Sequence, residues 1–186
     1  MNRRSLLVWC GVSAWIGASL WVYKGVAILA TGNQPDHAFE IAPFFFGMSV
    51  VALAHALIGD LRRPKWLILT LSWFAVSAGF VAAMAHFLTQ EGVVGDIGYL
   101  VNFASTIIVL FLISGDIRRQ GLLPRWSFIP TVLAWWLVLA IPIGGMFEEI
   151  DERYLEIPLI ATSSVWTMLG VAVVGRDLPR QGSYPS

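Results

Sequence analysis

The chain has 186 residues, of which 57% are hydrophobic and 13% are charged, and its formal net charge is zero. A soluble domain usually carries about 25% charged residues, so this composition excludes an ordinary soluble protein and indicates a multi-pass membrane protein. The net charge itself says nothing about nucleic acid, but the sequence has no basic face of the kind that nucleic-acid partners require, so such a partner is not predicted.

Six apolar segments follow one another along the chain, and each is long enough to cross a membrane as a helix. A helix rises about 1.5 Å per residue, so about 20 residues span a hydrocarbon layer of roughly 30 Å. We therefore predict an all-α, polytopic membrane bundle with six transmembrane helices in a single domain over residues 1–176, followed by a short polar tail over residues 177–186. The predicted spans cover residues 5–30, 41–58, 66–88, 97–114, 126–147 and 157–174.

Charged residues are sorted between the two sides of this predicted bundle. Because loops rich in Lys and Arg stay in the cytoplasm, both termini are predicted to be cytoplasmic, in the cell membrane. The ten basic residues on the predicted inner side are Arg3, Arg4, Arg62, Arg63, Lys65, Arg118, Arg119, Arg125, Arg176 and Arg180. The nine acidic residues on the predicted outer side are Asp36, Glu40, Glu91, Asp96, Glu148, Glu149, Asp151, Glu152 and Glu156.

A short phrase recurs at the end of every second predicted span. It is Gly-Asp-Leu-Arg-Arg at 59–63, Gly-Asp-Ile-Arg-Arg at 115–119, and a degraded copy at 175–180. This recurrence predicts three tandem helical hairpins of one orientation, covering about residues 1–63, 64–119 and 120–180. Parallel repeats of this kind favour a pseudo-threefold bundle and differ from the inverted repeats of many secondary transporters.

The repeated glycines, Gly59, Gly115 and Gly175, are predicted to end helices with a positive φ, a conformation that glycine adopts without strain. The aspartate after each glycine is expected to pair with a neighbouring arginine of its own loop, because a helix C-terminus disfavours an unpaired carboxylate. The functional alternative for these phrases is a docking surface or a proton-handling carboxylate.

Lys24 is the one cation inside a predicted span, and it lies about 30 Å along the helix from Arg4. Two interpretations are open. In the one we favour, its side chain extends to water at the outer interface, next to Tyr23. In the other, it pairs with Glu40 or another outer carboxylate and lines a site that opens outward, since a buried lysine needs a partner to stay charged.

Other polar residues near the predicted outer side can line such a site. Asp36, His37 and Glu40 fall within five residues, His86 lies near the end of the third span, and Asn102 lies within the fourth. The predicted ligand-binding residues are therefore Lys24, Asp36, His37, Glu40, His86 and Asn102.

The sequence predicts neither a catalytic nor a metal site, and it leaves any cofactor unknown. The outer histidines and carboxylates have the chemistry of a divalent metal site but lack a paired-histidine spacing on one helix. His55 has no second histidine at a matching depth, so a hydrogen bond to the backbone or to a neighbouring helix is expected instead of haem ligation.

Three functions remain open. The first, which we favour, is binding or transport of a small solute or lipid through a site open to the outer face. The second is a non-catalytic accessory or assembly subunit, whose partner is another membrane protein or a second copy of the chain. The third is an intramembrane enzyme, which would need a nucleophile, a metal or an acid–base pair at one depth. In all three the lipid bilayer surrounds the protein.

The predicted size, six spans and inner termini resemble those of the substrate-binding membrane subunits of energy-coupling-factor vitamin importers. Ala14 and Ala18 also have the Ala-xxx-Ala spacing that those subunits use on their first helix. The resemblance implies a substrate-binding membrane subunit. It is confined to topology and this one motif, and the repeated Gly-Asp phrases are not part of that pattern.

Overall fold

The protein is all-α over the residues that the computed structural model describes, which are 2–35, 37–89, 92–127, 139–147 and 149–174. No strand occurs in these ranges. The helices are α1 (Arg3–Thr31), α2 (Ala42–Leu57), α3 (Lys65–Thr89), α4 (Val93–Gln120), the short α5 (Ala140–Gly144) and α6 (Glu156–Val174). Three 3₁₀ turns, His37–Ile41, Arg125–Ser127 and Glu152–Leu155, lie between them.

Five of the described segments are long and apolar enough to cross a membrane, which supports a membrane protein. They correspond to the first four predicted spans and the sixth. Half of the fifth predicted span, 126–147, lies outside the described residues, as do Gly175 and the tail 177–186, so the sixth crossing and the threefold repeat stay predictions. The five segments are Arg3–Thr31, Phe39–Leu57, Lys65–Leu88, Val93–Gln120 and Glu152–Val174.

Helix α1 packs between α2 and α6, α2 packs on α3, and α3 packs on α4, which also touches α2. The main core lies among these helices, where Phe46, Leu110 and Trp166 are almost completely buried. The rings of Phe46 and Trp166 are stacked, with their centroids 4.7 Å apart. This stacking joins α2 to α6, the two helices between which α1 packs.

Glycine allows α2 and α3 to touch backbone to backbone. A Cβ atom placed on Gly47 would lie 2.7 Å from the Cα of Val76 and 2.8 Å from its backbone nitrogen. Because lipid provides no large hydrophobic driving force between helices, close packing of this kind is a main source of helix association.

Opposite charges mark the two ends of the bundle. Arg3, at the start of α1, forms an ion pair of 2.9 Å with Asp60. Arg62 lies at the same end of the bundle, which we call the basic end. The acidic end is the opposite one, where Glu40 precedes α2 and Glu156 begins α6.

Helices α4 and α6 both begin at the acidic end. The last residue of α4, Gln120, donates a hydrogen bond of 2.7 Å to the backbone oxygen of Asp60, at the basic end. Val174, at the end of α6, packs on Gly11 of α1. Helix α4 therefore ends at the basic end, whereas α6 begins at the acidic end.

The predicted conformation of the repeated glycines is wrong for Gly59 and Gly115. Among the described glycines, positive φ values occur at Gly32 and Gly121 instead. Gly115 lies inside α4, which continues through the whole second phrase to Gln120. The two phrases therefore have different structures despite their common sequence.

The residues that follow each phrase explain the difference. Pro64 comes directly after the first phrase, and a residue before proline avoids the helical conformation. The second phrase has four more residues, 120–123, before Pro124. Helix α4 therefore extends through the phrase and ends at Gly121, whose φ of 61° provides the left-handed cap.

The aspartates of the two phrases do not form the predicted pairs with an arginine of their own loop. Asp60 pairs with Arg3 of α1. Asp116, which is 4% exposed, accepts a hydrogen bond of 2.9 Å from the backbone N–H of Arg62. The long-range partners arise because the first phrase is a loop that lies against the helical second phrase, so each satisfies polar groups of the other.

Substituting Gly47 tests the contact between α2 and α3. We expect Gly47→Ala to lower the free energy of unfolding by about 1–3 kcal/mol, because the added Cβ meets backbone atoms that cannot move independently. Gly115→Ala is the control, since its Cβ has no neighbour within 4 Å and a helix interior favours Ala. Thermal unfolding in detergent measures both variants. A Gly47→Ala midpoint equal to that of the wild type would contradict the backbone contact.

Candidate polar site at the acidic end

An ion pair between Lys24 and Glu40 lies at the acidic end. The Nζ atom of Lys24 is 2.6 Å from Oε1 of Glu40, and the two side chains are only 15% and 12% exposed. Of the two interpretations of Lys24, the structure therefore shows the ion pair, and the side chain does not extend to water as we had favoured.

The connection between α1 and α2 positions Glu40. Helix α1 ends at Gly32, where a φ of 71° reverses the chain and the backbone N–H donates to Ile28. Pro43 lies in the first turn of α2, where its missing N–H costs no hydrogen bond. The 3₁₀ turn His37–Ile41 lies between α1 and α2 in the chain and leads directly into α2. Glu40 is therefore held just before α2 and beside α1.

Tyr99 and Gln34 complete the hydrogen bonding of Glu40. The Tyr99 hydroxyl, on α4, lies 2.7 Å from Oε2 of Glu40 and 3.0 Å from its backbone oxygen, and donates to this residue. The Gln34 amide donates to Oε1 at 3.0 Å. Donors from α1, α4 and the intervening loop thus stabilise one buried carboxylate, as a buried charge requires.

His86 of α3 extends the cluster. Its ring is stacked on Tyr99, with centroids 4.9 Å apart. Its Nε2 atom lies 4.0 Å from the carboxylate of Asp96, and this buried nitrogen has no hydrogen-bond partner within the described part of the chain. The His86 ring therefore offers one free nitrogen beside the tyrosine that holds Glu40.

Glu156, the first residue of α6, lies within electrostatic reach of Lys24. Its backbone oxygen lies 3.5 Å from the position of a Cβ on Gly25, which follows Lys24 in α1. The charges of Lys24 and Glu40 both act on its carboxylate. The Oε2 atom of Glu156 is buried and has no hydrogen-bond partner among the described residues.

Asn102 lies deeper, in contact with three helices. It is fully buried on α4, and its Nδ2 donates to the backbone oxygens of Pro43 at 3.1 Å and Ala75 at 2.6 Å. It therefore joins α2, α3 and α4 directly beneath the turn of α4 that carries Tyr99.

The structure brings together some of the predicted ligand-binding residues. Lys24, Glu40 and His86 belong to one cluster, and Asn102 lies below it. Asp36 is outside the described residues, and His37 is described only as the first residue of its 3₁₀ turn.

Sequence reasoning missed Tyr99, Gln34 and the position of Glu156. The available signal for Tyr99 was its spacing, because residues three apart on a helix share a face and Tyr99 precedes Asn102 by three.

No group of three or more potential metal ligands occurs in the described ranges. The Nδ1 atom of His55 donates a hydrogen bond of 2.9 Å to the backbone oxygen of Val51, which is the backbone contact expected for it.

Two grooves lie on the exposed side of α1, away from the ion pair. The larger has a volume of about 580 Å³ and the smaller about 450 Å³. No described lining residue carries a charge, so both grooves suit apolar groups. The larger is lined by Ala18, Ser19, Val22, Tyr23, Val26, Ala27, Ala30 and Thr167. The smaller is lined by Trp15, Ile16, Ser19, Leu20, Tyr23 and Phe39.

The turn before α6 neutralises part of the acidic charge locally. The Arg153 guanidinium lies 2.6 Å from the Asp151 carboxylate, and the Arg153 backbone N–H also donates to it. These hydrogen bonds hold the pKa of Asp151 below its usual value. The pair is exposed to water and separate from the buried cluster.

No protein family, curated protein or solved structure matches this chain. Ala14 and Ala18, which carry the Ala-xxx-Ala spacing, are 0% and 1% exposed, so both are buried within the bundle. Any function must therefore be argued from the polar cluster itself.

A double-mutant cycle tests the ion pair. We expect Lys24→Met to lower the free energy of unfolding by about 3 kcal/mol, because it leaves the Glu40 charge buried without its cation. The double variant Lys24→Met/Glu40→Gln removes both charges and keeps an acceptor for Tyr99, so its stability should be within about 1 kcal/mol of the wild type. Thermal unfolding in detergent measures the cycle. If Lys24→Met were as stable as the wild type, Lys24 would have to lie in water.

Proposed function

We propose that this protein is a small multi-pass membrane protein that binds or moves a small solute or lipid through a polar site at the acidic end of its bundle. The observation that carries this proposal is the buried Lys24–Glu40 ion pair, with the Tyr99 hydroxyl bound to its carboxylate.

The cost of such a pair supports a functional role. Removing two charges from water costs several kcal/mol per ion, and well-packed apolar residues often stabilise a protein equally well or better. Ionisable residues inside membrane spans are rare for this reason and commonly mark binding sites and pathways. Opening the Lys24–Glu40 pair would offer a solute one cation and one anion at the same place.

The charge distribution supports an orientation for the site. Arg3 and Arg62 lie at the basic end, and the positive-inside rule assigns that end and both termini to the cytoplasm. The acidic end and its cluster then face outward, and the site opens to the outer side of the cell membrane.

The alternative function, a non-catalytic subunit of a larger membrane complex, is favoured by the two apolar grooves along α1. A groove lined by Tyr23 and small residues suits a helix of another membrane protein as well as an acyl chain. An intramembrane enzyme is the third alternative, and no group of side chains in the described ranges supports it specifically.

Mass spectrometry of bound molecules tests the main proposal. We expect wild-type protein, extracted gently from its membrane, to retain a small molecule or lipid that Lys24→Met/Glu40→Gln loses, because the double variant lacks both charges of the pair but keeps its fold. Ser164→Ala, at an exposed position of α6, is the matched control and should retain the molecule. Equal retention by the double variant would contradict the proposed site. A stoichiometric polypeptide in place of a small molecule would favour the accessory subunit.

Cysteine labelling in intact cells tests the orientation. Asn33→Cys, in the exposed turn after α1, should react with a membrane-impermeant thiol reagent, whereas Arg63→Cys, in the exposed turn before α3, should react only after permeabilisation. The native Cys10 is completely buried, so the unmodified chain serves as the unlabelled control. The reverse labelling pattern would show that the proposed orientation is wrong.

A further inference from the structure

Two fully buried polar side chains continue the cluster into the bundle. Asn102 and Thr106 are both 0% exposed, and they lie four residues apart, on one face of α4. Tyr99 precedes them on the same face. Since α4 begins at the acidic end, these three residues form a polar column that runs about 10 Å inward from the Glu40 carboxylate.

The hydrogen bonds of Asn102 fix which way its amide points. Its Nδ2 group has two hydrogens, and these go to the backbone oxygens of Pro43 and Ala75, at 3.1 and 2.6 Å. The nitrogen also lies 2.8 Å from the position of a Cβ on Gly79, so the amide is tightly enclosed on that side. The Oδ1 atom on the other side of the amide can therefore only accept hydrogen bonds.

Both polar oxygens lack a partner in the part of the chain that the structure describes. Oδ1 of Asn102 and Oγ1 of Thr106 are buried, and neither makes a hydrogen bond. A buried acceptor without a donor costs stability, and nearly all such groups in proteins are satisfied by protein or by a bound molecule. Two unsatisfied oxygens from residues four apart on one helix face thus point to a small occupant that donates hydrogen bonds.

We propose that Asn102 Oδ1 and Thr106 Oγ1 form an internal site for the primary amine or ammonium group of the solute. The inference rests on the proposed function and adds the chemical class of the solute. An amine nitrogen carries at least two N–H donors, one for each oxygen.

The surroundings of the column favour an amine over other donors. The carboxylates of Glu40, Asp96 and Glu156 lie at the end from which the solute would come, and they attract cations. The ring of Tyr99, within the column, is stacked on the ring of Phe103 with their centroids 6.0 Å apart, and aromatic rings attract ammonium groups. Water can satisfy the same two oxygens, so the test has to separate the two occupants.

Equilibrium binding of radiolabelled methylammonium to the purified full-length chain in detergent tests the site. We expect saturable binding by the wild type and about tenfold weaker binding by Thr106→Val, which keeps the shape of the side chain but removes one hydrogen-bond acceptor. Thr162→Val is the matched control, because Thr162 is a buried threonine of α6 whose hydroxyl donates to the backbone oxygen of Pro158 in its own helix. It should bind as the wild type does.

Two results would overturn the inference: no saturable binding by the wild type, or binding by Thr106→Val equal to that of the wild type. A wild type that binds no methylammonium, together with a Thr106→Val variant that unfolds at a lower temperature, would assign the site to water. Asn102→Leu is a second variant, accepted only where its thermal unfolding shows a folded protein.

The outcome is distinguishable from failure of the proposed function. If mass spectrometry finds a molecule that depends on Lys24 and Glu40 while methylammonium does not bind, the proposed function stands and the amine site is wrong. If the wild type retains no molecule that depends on Lys24 and Glu40 and also binds no methylammonium, the proposed function and the amine site are both wrong.

Discussion

The ion pair between Lys24 and Glu40 is the interaction on which the acidic end of the bundle depends. A carboxylate that is 12% exposed in a membrane-spanning bundle needs several donors, and no single helix provides them. Lys24 comes from α1, Tyr99 from α4 and Gln34 from the loop between α1 and α2. Satisfying this one carboxylate therefore fixes the positions of three parts of the chain relative to each other.

Small residues determine what else can approach the pair. Gly25 follows Lys24 on α1 and lies against Ile160 and the start of α6, so a larger residue there would push α6 away. Gly17, two turns earlier, accommodates the Phe46 ring in the same manner. The close packing of α6 on α1 brings the Glu156 carboxylate within electrostatic reach of Lys24. The charged cluster is thus a consequence of glycine packing as much as of the charged residues.

Hydropathy was sufficient to predict where the described spans lie. The repeated Gly-Asp phrase, by contrast, gave a wrong prediction of where α4 ends. The third predicted span, 66–88, matches α3 (Lys65–Thr89) because apolar length alone defines a membrane helix. The predicted fourth span stopped at Ser114, whereas α4 continues to Gln120. A shared phrase cannot determine whether it is helical, since that depends on how soon a proline follows.

The site was only partly predictable for a related reason. A lysine inside an apolar run is conspicuous, and the alternative of pairing with Glu40 could be stated from the sequence. Tyr99, by contrast, resembles any aromatic residue of a membrane helix until its hydroxyl is seen to meet a carboxylate 59 residues away along the chain. The sequence marks groups that are costly to bury, but it does not show which inexpensive groups satisfy them.

Polarity decreases with depth along the buried face of α4, and the cost of burial explains the order. The charged Glu40 lies at the acidic end, the phenol of Tyr99 contacts it, and the neutral amide of Asn102 and hydroxyl of Thr106 follow further in. A carboxylate at the depth of Thr106 would need its own set of donors, whereas an amide and a hydroxyl cost far less to bury. The deeper groups can therefore keep oxygens that have no hydrogen-bond partner in the described part of the chain. For this reason the amine site is placed below the ion pair, where the chain tolerates unsatisfied acceptors that an incoming donor can use.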